Sequence, residues 1–143
     1  WRLDQRYIGR RDAKHDARRG ELRAKIDDAT RLSRLIEHDA HEYFVLDATD
    51  PRALALERTI HRGFTTLSTV QYDIDSSLPG AYAGTCYRRY KKTVTIGDFQ
   101  SERRLARSHA DSLLDDISAA ARLFEQNLER AFRTEFDDRV RGR

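Results

Sequence analysis

The chain lacks the cysteine pairs that form disulfide bonds and the long apolar segments that span membranes. Cys86 is the only cysteine among 143 residues, which excludes an intramolecular disulfide and favours a reducing compartment such as the cytoplasm. No run of about 18 apolar residues occurs, so no segment of this sequence is expected to span a bilayer. Methionine is absent even at the first position, which Trp1 occupies, and we therefore expect this to be a piece of a longer protein.

Helix breakers are also scarce. The two prolines, Pro51 and Pro79, and most of the seven glycines fall between stretches of regular apolar spacing. Charged residues make up 36% of the chain and apolar residues 38%, a balance that is typical of long amphipathic helices with wide solvent-facing sides. This composition predicts an all-α fold.

Apolar residues spaced alternately three and four apart predict three long helices, over about 4–46, 51–78 and 98–139. Asp50 followed by Pro51 marks the start of the second helix, and Asp98 is expected to cap the third. With a linker over 79–97, residues 1–143 would form one domain, an elongated antiparallel three-helix bundle. The residues expected in its core are Leu22, Ile26, Ala29, Ser33, Ile36, Ala40 and Tyr43, then Leu56, Ile60, Phe64, Leu67, Val70, Ile74 and Leu78, then Ala106, Leu113, Ile117, Ala121, Phe124, Leu128 and Phe132.

The segment LIEHDAHEYF, residues 35–44, carries two Glu and His pairs at the four-residue spacing that a metal site on a helix would need. Glu37 is four residues from His41, and His38 is four residues from Glu42. At about 100° per residue, both histidines point away from the apolar side of the first helix. We therefore expect a solvated face and no bound metal.

Motifs for catalysis are missing as well. There is no G-x-S-x-G, and GAYAG at 80–84 follows a predicted helix end where a phosphate loop would follow a strand. The sequence predicts no enzyme, no catalytic residue and no cofactor.

Positive charge is concentrated in two places. Seven of the first 19 residues are basic and follow a tryptophan, a pattern typical of the cytoplasmic side of a transmembrane helix. An anchor upstream of Trp1 and a solvated arginine-rich helix face are both compatible with this pattern.

The second concentration lies in the predicted linker. There Tyr87 and Tyr90 alternate with Arg88, Arg89, Lys91 and Lys92, and a β-branched run follows over 93–96. The four basic residues are candidates for binding an anionic surface, either lipid headgroups or nucleic acid.

Alternatively, the tyrosines cover the bundle end, the basic side chains stay in water, and residues 93–96 cross the bundle in an extended conformation. If the linker stays at one end, its basic residues lie near the chain start; if it runs back along the bundle, the helices on either side of it run parallel.

Ile96, Gly97, Asp98, Phe99, Gln100 and Ser101 resemble a turn found in bacterial proteins of uncharacterised function that have an N-terminal membrane segment and a helical cytoplasmic tail. In those proteins a Thr-Gly-Gly-Asp-Phe-Glu-Ser-like turn precedes the last helix; here the first glycine and the glutamate are replaced. The resemblance implies a three-helix tail and an upstream anchor, and it transfers no catalytic residue.

Together these features predict a non-enzymatic interaction or oligomerisation module, the cytoplasmic portion of a membrane-anchored bacterial protein. Its expected partners are another protein or a second copy, with an anionic membrane surface as a further possibility. The alternative is a soluble helical module that binds nucleic acid through residues 88–92 and the arginine-rich first helix.

Overall fold

A computed structural model describes residues 2–138, with the side chains of residue 6 and residues 8–137; this part of the chain is all-helical and contains no strand. The four helices are α1, Arg2–Phe44; α2, Pro51–Ser77; α3, Ala83–Thr95; and α4, Ser112–Arg133. A π-helical turn, Thr134–Asp138, continues α4. The all-α prediction is confirmed, but the described residues contain one helix more than the predicted three.

The four helices pack side by side, and contacts between them give their directions. The Tyr43 hydroxyl donates to Glu57 Oε1 at 2.7 Å, and Arg34 Nε donates to Glu125 Oε1 at 3.1 Å. The Tyr90 hydroxyl donates to the carbonyl oxygen of Ser33 at 2.7 Å. At the other end of the bundle, Arg18 near the start of α1 contacts Ser77 at the end of α2 and Glu135 just after α4, and Asp75 near the end of α2 contacts the start of α3. The helices α1 and α3 therefore run one way and α2 and α4 the other, so that α2 and α4 are parallel to each other.

The first two helices match the sequence prediction closely. Asp50 caps α2 by accepting a hydrogen bond from the backbone N–H of Arg52 at 2.9 Å, and Pro51 occupies the first turn. In α1 all seven predicted core positions are buried. In α2 the centre of the apolar stripe is buried, with Leu56 and Val70 half-buried at its edge.

The predicted linker is wrong over most of its length, because residues 83–95 form α3. Val94, which was expected in an extended segment, is buried on the inner side of this helix. Ala83, Tyr87, Tyr90 and Val94 repeat at four, three and four residues, which is the spacing of a helix buried on one side. The β-branched residues 93–96 obscured this spacing in the sequence.

The predicted start of the last helix is also wrong. Residues 98–111 form turns and an irregular stretch, and the N-cap of α4 is Asp111, whose Oδ1 accepts from the backbone N–H of Leu113 at 2.9 Å. Ala106, predicted in the core, is exposed. Leu113 is half-buried, whereas Ile117, Ala121, Phe124, Leu128 and Phe132 are buried as predicted. The predicted helix end at 139 lies outside the described residues.

Segment 98–111 covers one end of the bundle instead. Phe99 packs with its ring centroid 5.1 Å from that of Tyr43 and 5.3 Å from that of His61. Arg104 is buried and its guanidinium lies 3.9 Å from the centre of the Tyr43 ring. It also donates to the carbonyl oxygens of Tyr43 and Leu46 at the end of α1, where a helix dipole favours a positive charge.

Candidate anionic-surface interface

The four candidate basic residues lie on α3, which has one apolar side and one basic side. Arg88, Arg89, Lys91 and Lys92 are all exposed, and α3 contains no acidic residue. Their spacing along a helix distributes them over one broad arc of its surface. We call this arc, defined by these four residues, the basic face of α3.

The opposite side of α3 is held in the bundle by two tyrosines. Tyr90 is fully buried, and its hydroxyl reaches the Ser33 carbonyl of α1. The Tyr87 hydroxyl donates to the carbonyl oxygen of Phe64 in α2 at 2.9 Å. Because both rings pack inside, neither is available to stack on a nucleic-acid base, and neither covers the bundle end as the sequence suggested.

The start of α3 is fixed by a side chain from α2. Asp75 accepts hydrogen bonds from the backbone N–H groups of Ala83 and Gly84, both at 2.8 Å. Tyr82, the residue before the helix, has a left-handed backbone (φ 52°) and makes no side-chain capping bond of its own. Asp75 therefore performs the capping function from across the α2–α3 contact.

The basic face lies on the flank of the bundle. Tyr90 is level with Ser33 of α1. At 1.5 Å per residue, Ser33 lies about 35 Å along α1 from Arg10, which belongs to the basic start of the chain. The arrangement in which residues 88–92 form a loop near the chain start, one of the two that the sequence left open, is therefore wrong. The chain runs back along the bundle as a helix, the other arrangement considered from the sequence, and the helices on either side of it are parallel.

Ion pairing distinguishes the basic face from most arginines of α1. Arg18, Arg19, Arg23, Arg31 and Arg34 each have a carboxylate within ion-pair distance. Among the described residues, no carboxylate lies within 4.0 Å of the charged nitrogens on the basic face. Within the described part of the chain, the only hydrogen bond of these four side chains joins Arg88 to the Thr85 hydroxyl at 3.4 Å. Their charge is thus available to an external anion.

The two histidines of the 35–44 segment have different surroundings. His38 is exposed, as predicted, and its Nε2 lies 3.2 Å from Glu42 Oε1. His41 is only half-exposed, because its Nε2 lies 3.0 Å from Ser118 Oγ of α4, which in turn donates to Glu37 Oε2 at 2.8 Å. The predicted solvated face is therefore wrong for Glu37 and His41, because α1 packs against α4 as well as α2 and a wider part of its surface is buried.

His38, Asp39 and Glu42 bring three possible metal-ligand atoms within 4.8 Å of one another, mostly on the open surface.

The start of α1 extends beyond the described parts of the other helices. The first contacts of α1 in the described side chains are His15 with Phe136 and Arg18 with Glu135 and the Ser77 carbonyl. The side chains of residue 6 and residues 8–14 are exposed. Four of the seven basic residues predicted near the chain start are therefore displayed on a free helix: Arg6, Arg10, Arg11 and Lys14.

Comparison of the chain with protein-family models, with curated proteins and with solved structures finds no match. Within residues 2–138, none of the helices combines the length and the apolar composition that a membrane crossing requires.

Proposed function

We propose that this protein is a non-enzymatic interaction module, the cytoplasmic portion of a membrane-anchored protein, and that the basic face of α3 attaches it to an anionic membrane surface. One observation carries the proposal: four exposed basic side chains share one side of a helix that has no acidic residue and no ion-pair partner within the described chain. Each basic residue held near an anionic leaflet contributes about 1 kcal/mol of attraction at low ionic strength.

The position of the face supports the same function. A surface on the flank lets the long axis of the bundle lie along a membrane. An upstream anchor would keep the module close to that membrane, so weak electrostatic contacts would suffice to orient it.

Vesicle sedimentation tests the proposal. We expect binding to vesicles that contain phosphatidylserine at low ionic strength, weaker binding as salt is added, and none to vesicles of phosphatidylcholine alone. Replacing Arg88, Arg89, Lys91 and Lys92 by alanine should abolish most of the binding.

A matched control replaces four other exposed arginines, Arg58, Arg62, Arg103 and Arg122, and lowers the net charge by the same amount. This variant should retain most of its vesicle binding. Equal losses in the two variants would mean that only net charge matters, and equal sedimentation of the wild type with neutral and anionic vesicles would exclude the function.

Nucleic-acid binding is the second candidate, because Arg6, Arg10, Arg11 and Lys14 are also exposed and free of ion pairs in the described chain. The burial of Tyr87 and Tyr90 disfavours it, since single-strand binding usually relies on aromatic stacking. Fluorescence titration with labelled duplex and single-stranded oligonucleotides would reveal it as tight binding with a steep salt dependence.

A further inference from the structure

A groove runs along the surface of α4 and the first residue of the π-helical turn that continues it. Its volume is about 550 Å³, and its lining includes Leu123, Asn127, Arg130 and Arg133 but no carboxylate. Arg130 and Arg133 are exposed, and neither has a carboxylate within 4.0 Å in the described part of the chain. The groove is therefore a second basic site, on a helix whose arginines the sequence did not single out.

Arg130 is held in place by a buried amide. Arg130 Nη2 donates to Asn127 Oδ1 at 2.8 Å. Asn127 is only 8% exposed, and its Nδ2 donates to the carbonyl oxygen of Ala81 in the α2–α3 turn. Because one nitrogen of the guanidinium is fixed by a side chain anchored in the core, Arg130 loses less conformational freedom on binding a ligand than a free surface arginine.

Arg130 of the groove and Arg89 of the basic face both lie near Cys86 of α3. Burial raises the pKa of the Cys86 thiol, while the positive charges of Arg89 on α3 and Arg130 on α4 lower it, so both cations lie near this one residue. The nearby carboxylate of Asp75 is occupied by the backbone N–H groups of Ala83 and Gly84. Two arginines and one carboxylate therefore contribute to the charge around Cys86.

We infer that the α4 groove is the headgroup subsite of the membrane-binding surface, and that Arg130, supported by Arg133, binds the phosphate of a lipid that carries a terminal phosphomonoester. This inference rests on the proposed function and specifies its ligand. A phosphomonoester carries a charge of about −1.5 to −2 and three acceptor oxygens, which suits the forked donors of several arginines. A headgroup whose phosphate is a diester offers less charge and fewer free oxygens to the same groove.

The test compares two sets of phosphatidylcholine vesicles adjusted to equal zeta potential, one containing phosphatidic acid and the other phosphatidylserine. Wild-type protein should bind the phosphatidic acid vesicles about tenfold more tightly, the effect of one pair of charge-assisted hydrogen bonds. Arg130→Gln should lose this preference and keep its binding to phosphatidylserine. The control Arg62→Gln, an exposed arginine of α2, should keep both, and thermal melting should confirm that both variants are folded.

The outcomes separate the inference from the function on which it rests. Equal wild-type binding to both anionic vesicles would overturn the groove assignment and leave the membrane function standing. Absence of binding to either would overturn both. If inorganic phosphate at constant ionic strength perturbs the Arg130 side-chain NMR signal but the vesicles show no preference, the ligand is free phosphate and the lipid assignment is wrong.

Discussion

At the scale of single residues, Gly63 marks a close approach between α1 and α2. A Cβ at this position would lie 2.7 Å from Ile36 Cγ1, far inside normal contact distance. Ile36 is buried at 1% exposure and has little room to move. The missing side chain of Gly63 therefore allows the two longest helices to pack at their present separation.

We predict that Gly63→Ala lowers the free energy of unfolding by about 1–3 kcal/mol, because overpacking outweighs the better helix propensity of alanine. The control is Gly20→Ala in α1, where a Cβ would have no neighbour within 4 Å. That change should stabilise the protein by about 0.5–1 kcal/mol. Urea denaturation measures both, and stabilisation by both would mean that the helices can separate at no cost.

Three tyrosines make the stability sensitive to alkaline pH. Burial raises the pKa values of Tyr43, Tyr87 and Tyr90, so their neutral forms persist in the folded chain above the ordinary value of about 10. The unfolded chain ionises first, so the stability that these residues contribute is fully present below about pH 10 and is lost as the pH rises above it.

Denaturation midpoints measured between about pH 9 and 11 should therefore fall as the pH rises, more gently in Tyr90→Phe than in the wild type. Tyr72 and Tyr82, both 69% exposed, provide the controls. Their replacement by phenylalanine should leave the slope unchanged, and a slope equally reduced by every tyrosine variant would contradict this explanation.

At the scale of secondary structure, α3 depends on groups outside itself. It has 13 residues, about the length at which an isolated helix is marginal in water. Its inner side chains pack on the other helices, and its first backbone N–H groups bind Asp75 of α2. The display of the basic face on its outer side therefore depends on these tertiary contacts.

Asp75→Ala should cost about 1–3 kcal/mol, because two backbone N–H groups at the start of α3 lose a charged acceptor. Asp73→Ala, an exposed position on the same helix, should cost much less. Amide hydrogen exchange should show faster exchange at residues 83–87 in the Asp75 variant alone. Unchanged protection there would mean that α3 is held by its apolar side without the cap.

At the scale of the whole molecule, the described chain consists of a four-helix body and a free length of α1. The body includes four ion pairs between α1 and the α4 region, which join Arg18, Arg19, Arg23 and Arg34 to Glu135, Asp137, Glu129 and Glu125. Most of these charged groups are partly exposed. Ion pairs of this kind each contribute little to the free energy of unfolding. The stability of the body therefore comes mainly from its apolar core.

Deleting residues 2–13 should leave the thermal melting temperature of the body nearly unchanged, because the described side chains of this stretch are exposed and form no hydrogen bond or ion pair with it. Deleting residues 2–22 should lower it, since the contacts of His15, Arg18 and Arg19 and the buried Leu22 are lost. A large drop on the shorter deletion would show that the start of α1 has a partner, most simply a second copy of the chain.

The sequence alone predicted the helical class and the ends of α1 and α2 to within about two residues, because their apolar spacing is long and regular and Asp50 with Pro51 marks a clear start. It also identified the buried core of α4 from Ile117 onward and the four basic residues as a cluster. These features are local, since periodicity and capping act within a few residues of the chain.

Tertiary contacts determine where the third helix lies and which way the basic residues point. The helical form of residues 83–95 becomes favourable only when Tyr87 and Tyr90 reach carbonyl groups in α2 and α1, and when Asp75 supplies the cap.

Asp98 and Asp111 are equally good N-caps by residue type, and the choice of Asp111 follows from Phe99 and Arg104 packing on the distant end of α1. The pairing of Arg130 with a buried Asn127 likewise depends on Ala81 of another turn, which no spacing within α4 can indicate. Contacts between residues far apart in the chain fix all of these features. Apart from the short repeat of Ala83, Tyr87, Tyr90 and Val94, they leave no periodic pattern in the sequence.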